Sequence, residues 1–438
     1  MRYSSALPVL LALASLTACG AASDGDPDEA LPSVAQEAKG GGAPPTIDPA
    51  RELMITDLSV VEDPTRTVAT TALPSAAAPW TFGRLVQQMA GDHDASDFVL
   101  HLLESWETDQ ALNGFTATAR PSIRTLVIEP WLRKSGGTKL DFRFAPFRLL
   151  AIVNRLDLRD TLGGKHNLDA GEGRFVFGVL DEAGNKLPFT VIFEYEQPAA
   201  KGKDIQAWAE SWHALGSLPF GPGYNQALQA ITSAFAGPNC PDKPNKSCLN
   251  QIRTNDAALA ADGTDPNLST GKLWELREFH LSSSTGYLEP HTTKQTPDES
   301  LNGSSPLSSF LRANAAGILA NTQPLPSTMT AAANVAPTGH VWNAPGAVNP
   351  EVRFQFAVNT CNGCHTTETN TRFLHVKTRA AGQPAGLSTF LTGGTAVDPV
   401  TGQTRSFGDL AKRASDLAYV LTADPKALEG KTKKVKSH

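Results

Sequence analysis

The chain has no excess of positive charge. Its 38 lysines and arginines stand against 44 aspartates and glutamates, a net charge of -6. With no basic face and no base-stacking motif, a nucleic-acid surface is excluded. Cysteine is scarce, five in 438 residues, which excludes a disulfide-rich scaffold. Methionine is scarcer still: Met1, Met54, Met89 and Met329 are the four. No segment reaches the roughly 18 uninterrupted apolar residues that a membrane helix needs. There is no G-x-S-x-G elbow, phosphate loop or H-E-x-x-H, so common hydrolase and nucleotide chemistries have no motif to stand on. No repeat of fixed period stands out.

What is present suffices for a folded core: 40% of residues are hydrophobic and 19% charged. The first stretch reads as an address rather than as fold. Arg2 is a short positive region, and Leu7 to Leu16 is an apolar run of signal-peptide length. Leu16-Thr17-Ala18-Cys19 follows and resembles the lipobox of bacterial lipoproteins, which implies lipidation of Cys19. By the same resemblance, Gly20 in place of aspartate implies the outer membrane, with the body in the periplasm or at the cell surface. Residues 1–18 are then a signal peptide and 19–50 a tether poor in core-forming residues. Cys240 and Cys248 flank a short polar loop, and in an oxidising compartment they are expected to pair.

From residue 51 the pattern becomes globular. Helical spacing marks Phe82 to Met89, Asp97 to Thr108 and a stretch from Arg120-Pro121 towards Trp131. Phe147 to Leu156 is dense enough in apolar residues for a buried strand. Two β-rich runs around Asp181-Glu182-Ala183-Gly184-Asn185 predict a hairpin between Arg174 and Glu196. Helices are expected at 205–215, 225–235 and 307–319, and a strand at 273–281. The mixture without a βαβ repeat predicts an α+β domain over 51–340, of unknown role. Residues 321–350, rich in proline, alanine, asparagine and threonine, read as a linker.

The chemistry is concentrated in Cys361-Asn362-Gly363-Cys364-His365. Two thiols at this spacing can each take one haem vinyl group, and the adjoining histidine can ligate the iron. The run Val352 to Thr360 before it and the apolar spacing from Phe407 to Leu421 after it resemble the first and last helices of monohaem cytochrome c domains. That resemblance implies a small all-α domain over 345–425, one covalent haem c on Cys361 and Cys364, and His365 as proximal ligand. Such domains commonly supply a downstream methionine as second ligand, and none follows Cys364. His375, Met329 and His340 are the candidates for that position, with His280 and His291 further upstream. Residues 426–438 read as a basic tail.

Elsewhere the signals are weaker. Asn154 to Asp160 alternates charge and suits a paired network. Asn167, Asp169 and Glu172 are loosely like a calcium loop, though a polar turn accounts for them better. Trp208 and Trp212 are four apart and read as one buried helix face. The expected function is single-electron transfer by a lipid-anchored haem protein to a redox partner, with no nucleic-acid role. Two alternatives stand beside it: a non-redox scaffold whose C-x-x-C is a disulfide, and a haem enzyme with an open axial position.

Overall fold

A computed structural model describes residues 43–160, 168–259, 274–337, 339–346 and 348–429. The signal segment, Cys19, most of the tether, Asn167 and the lysine-rich end from 430 lie outside the described residues. Among the described residues, no helix is long and apolar enough to cross a membrane.

The strands in chain order are β1 (Met54–Ile55), β2 (Gln110–Leu112), β3 (Phe115–Ala117), β4 (Phe147–Arg155), β5 (Asp169–Leu180), β6 (Lys186–Pro198), β7 (Leu249–Asp256), β8 (Trp274–Leu281), β9 (Leu288–His291), β10 (Asn334–Ala336), β11 (Gly394–Val397) and β12 (Thr404–Phe407). Eight of them make one antiparallel sheet in the order β1-β4-β5-β6-β7-β8-β10, with β9 also on β8. The expected strand over Phe147 to Leu156 and the expected β5–β6 hairpin are both present. The linker stretch 321–350 does more than connect, since β10 joins the sheet beside β8.

Register divides the sheet into two unlike faces, because paired residues share a face. One row runs Ile152, Phe175, Phe193, Ile252 and Phe279 across β4 to β8. This aromatic face is covered by helices: Phe82 on Phe82–Ala90 meets Phe177, Trp106 meets Phe279, and Phe235 on Pro222–Ala236 meets Phe175. Burying such side chains stabilises by roughly 1.5–3 kcal/mol each. Trp208 and Trp212 lie in this core, as their spacing predicts.

The opposite face is polar yet also buried. Glu172, Arg174, Glu194, Arg253 and Glu278 alternate in charge across β5 to β8, with the half-buried His280 beside Glu278. Arg174 Nη2 is 2.6 Å from Glu172 Oε2 and its Nη1 3.1 Å from Glu194 Oε1. Arg253 Nη1 lies 3.5 Å from Glu194 Oε2, its Nε 3.0 Å from Glu278 Oε2, and His280 Nε2 is 2.8 Å from Glu278 Oε1. Burial pushes the Glu278 carboxyl up, but Arg253 and His280 outweigh it and hold it at about 2.

The small all-α domain expected over 345–425 is not formed. Between the helices Pro350–Val358 and Asp409–Thr422 lie irregular chain and the β11–β12 hairpin, so the region mixes strand and helix. The two helices bury their apolar faces in different places. Val352, Phe356 and Ala357 pack with Leu307, Leu311 and Trp342. Leu410, Leu417 and Val420 join the main core. The last helix rests against Gly202–His213, where Gln206 Nε2 donates to the carbonyls of Val420, Leu421 and Ala423. Helical spacing says which residues are buried, not what buries them.

Cys240 and Cys248 form the expected disulfide. Arg155 pairs with Asp157 and Arg159 with Asp416, as the alternating charges suggest. Asp169 Oδ1 accepts from the backbone N–H groups of Asp160 and Gly171, and Glu172 pairs with Arg174. The loosely calcium-like run is therefore a turn and strand start, apart from Asn167.

Two outcomes follow for stability. Replacing both Cys240 and Cys248 by serine should cost about 2–3 kcal/mol from loop-closure entropy, read by denaturant unfolding. Arg253→Met leaves Glu194 and Glu278 buried and should cost roughly 3–5 kcal/mol. The depressed Glu278 carboxyl contributes stability above its ordinary value of 4.5, which is lost as pH falls towards about 2. Arg253→Met should flatten the stability profile across that interval.

Candidate functional site

The irregular chain after Pro350–Val358 covers the polar sheet face. Cys361–Cys364 is one helical turn, capped by Thr360, whose Oγ1 accepts from the Gly363 backbone N–H at 3.1 Å. Trp342 Nε1 donates to Thr360 Oγ1 and Asn362 Oδ1 at 2.9 and 2.8 Å, fixing the cap from outside. The Cys361 N–H donates to Thr296 Oγ1 at 2.8 Å. A Cβ at position 363 would stand 2.1 Å from the Ala357 carbonyl oxygen, so the turn admits only glycine there. Behind it Arg353 pairs with Glu368 and, at 2.9 Å, with Asp398, all three buried.

Cys361 and Cys364 are buried thiols that form no disulfide. Burial pushes both thiols up, Cys364 well above its ordinary value, so neither is a reactive thiolate. His365 follows with its ring stacked on Trp274, centroids 4.9 Å apart. Its Nδ1 donates to the Phe373 carbonyl at 2.5 Å, which leaves the lone pair on Nε2. Burial pulls this imidazole down to about 4, with the Phe373 bond opposing and Arg253 assisting. A neutral imidazole with one nitrogen anchored to a carbonyl is the arrangement of a metal-ligating histidine.

Cys361, His365 and His375 line a cavity, open to solvent, between the C-terminal chain and the polar sheet face. Arg174, Arg253 and Arg413 stand in its wall. Arg413 is buried and pairs with Asp409 through Nη2, while its Nε and Nη1 have no hydrogen-bond partner among the described residues.

The structure sorts the candidates for a second axial ligand. His375 lines the cavity, with Nδ1 2.8 Å from Ser388 Oγ and Nε2 3.3 Å from Cys364 Sγ. Two imidazoles trans on one metal would have ring centres roughly 6 Å apart, from metal–nitrogen bonds of about 2 Å. The rings of His365 and His375 are 4.3 Å apart, so in this arrangement they do not face each other across an ion. Met329 packs against the Leu307–Trp342 cluster, away from the cavity lining. His340 is buried beside Trp342, its Nδ1 3.4 Å from Glu299 Oε2. His280 and His291 stack on each other at the sheet edge. Met54, not singled out from the sequence, does line the cavity from β1. Its pairing with Val153 of β4 places it there, and no local sequence signal announces such a pairing.

Were a haem attached here, Cys361 at the cavity and Cys364 behind it in the core would carry it, His365 Nε2 would ligate the iron, and Arg413 would face a carboxylate.

Two measurements test the geometry. The His365 ring, followed by NMR in the haem-free chain, should stay neutral down to about pH 4; an ordinary value of 6.5 counts against the burial described. Since the unfolded chain protonates first, the stability this group contributes is lost as pH falls from 6.5 towards 4. Gly363→Ala should destabilise by about 1–3 kcal/mol through the clash with Ala357, read as a lowered Tm.

Compared with protein-family models, with curated proteins and with solved structures, the chain matches none.

Proposed function

We propose that this is an exported, lipid-anchored protein that carries one covalent haem c on Cys361 and Cys364 and exchanges single electrons with a redox partner. The observation that carries the reading is His365. It adjoins two thiols on one turn, is held neutral, and is anchored through Nδ1 so that Nε2 bears the lone pair at a cavity wall. Cys361, Cys364 and His365, which would hold the haem, lie on the chain covering the sheet's polar face, outside any all-α domain. When bound, it supplies reversible one-electron exchange. Trp274 fixes the His365 ring plane, and the buried turn keeps water from the attachment side. Arg413, with Arg174 and Arg253 close to the same cavity, offers donors to the haem carboxylates. The signal and the lipobox around Cys19 support the membrane-anchored placement at the outer membrane.

One observation favours a second reading, a haem enzyme with an open axial position. His375 Nε2 is engaged with Cys364 Sγ, and its ring is too close to His365 to lie opposite it. Carbon monoxide binding to the reduced protein separates the two: a closed electron carrier does not take it up.

The test is expression of the full chain with c-type haem maturation machinery. Haem should stay with the wild-type chain on denaturing gels. Cys361→Ala with Cys364→Ala should abolish covalent attachment, and His365→Ala should lose the low-spin spectrum. An intact mass lacking haem, and short of it by two protons for a disulfide, would leave the scaffold reading in its place.

A further inference from the structure

The hairpin β8–β9 carries a second cluster, which the electron-transfer reading does not use. Glu278 of β8 pairs directly with His291 of β9, so the two share a face. His280 is two residues along β8 and projects from that same face. The His280 and His291 rings stack at 3.9 Å with planes 7° apart. Their ligand atoms and the Glu278 carboxylate all lie within 4.8 Å of one another.

We propose that Glu278, His280 and His291 bind one divalent transition-metal ion of the zinc class at this sheet edge.

Two imidazoles and one carboxylate are the donor set of open zinc sites, which keep a fourth position for water. The bonding pattern around each residue is compatible. Glu278 Oε2 is occupied by Arg253 Nε at 3.0 Å and the Lys294 N–H at 3.3 Å, so Oε1 is the oxygen turned to His280. His291 Nδ1 donates to the Thr292 carbonyl at 3.0 Å, which places the lone pair on Nε2. The ion takes the place of the proton between Glu278 Oε1 and His280 Nε2, and the neutral ring carries that proton on Nδ1 instead. Donors on tetrahedral zinc stand roughly 3.3–3.6 Å apart for bonds of about 2.0–2.2 Å. Closing from 4.8 Å takes only side-chain rotation, and His291 is exposed and His280 35% exposed. The buried carboxylate is fixed, so the two imidazoles do the moving.

The experiment is titration of the full chain with Zn²⁺ by calorimetry, and with Co²⁺ by visible spectroscopy. One equivalent should bind and raise Tm. His280→Ala and His291→Ala should each weaken binding more than roughly tenfold. His291 is exposed, so His291→Ala keeps the fold and carries the test even if Glu278→Gln does not fold. Cobalt should give d–d bands without a thiolate charge-transfer band. No binding, binding unchanged in both histidine variants, or a thiolate band placing the metal on Cys361 and Cys364 each overturns the proposal. Calorimetry and Tm do not depend on whether haem attaches, and the cobalt spectrum is read on the haem-free chain.

Discussion

An alternating row of charges on one buried sheet face, Glu172, Arg174, Glu194, Arg253 and Glu278, is what the rest of the structure depends on. Taking such groups out of water costs several kcal/mol per ion, and only close pairing offsets it. The row therefore has to be complete and has to be covered. The cover is the chain from Cys361 to the helix Asp409–Thr422, which is why this chain cannot fold as a free-standing bundle. Arg379 clamps it to the sheet, donating Nη2 to the Leu149 carbonyl at 2.9 Å and pairing with Glu62.

The same row sets the chemistry of the cavity above it. The floor is charged but internally neutralised, so a ligand meets fixed donors rather than bulk water. Burial keeps His365 neutral and both thiols protonated, and Arg253 lies close enough to influence His365 and Cys361. At its far end the row reaches Glu278, one oxygen of which serves Arg253 and the other His280. The cavity and the stacked histidines are thus joined by a single carboxylate.

Much of the aromatic face was legible in the sequence. The β5–β6 hairpin shows because Phe175, Val176 and Phe177 and their partners flank a Gly/Asn turn. Trp208 and Trp212 show because they are four apart in a helix. β7 did not show, although it is central: Thr254 and Asp256 share the aromatic face with Ile252, so no apolar alternation marks the strand. Met54 was invisible as a cavity residue for a different reason, since two residues on an edge strand carry no periodicity. The last helix was foreseen at nearly its right bounds, yet its partner was not, and the all-α domain inferred from it does not form.

By itself the sequence determined the local chemistry: the C-x-x-C-H spacing, the Cys240–Cys248 pair and the strong periodic elements. These depend on residues close in the chain, where spacing and side-chain type suffice. Tertiary structure alone decided that the turn at Cys361 lies on a charged sheet face, that Met54 and not Met329 borders the cavity, and that Glu278 meets His291. Those meetings join segments far apart in sequence, and the pairing of antiparallel strands settles them by burying one face at a time.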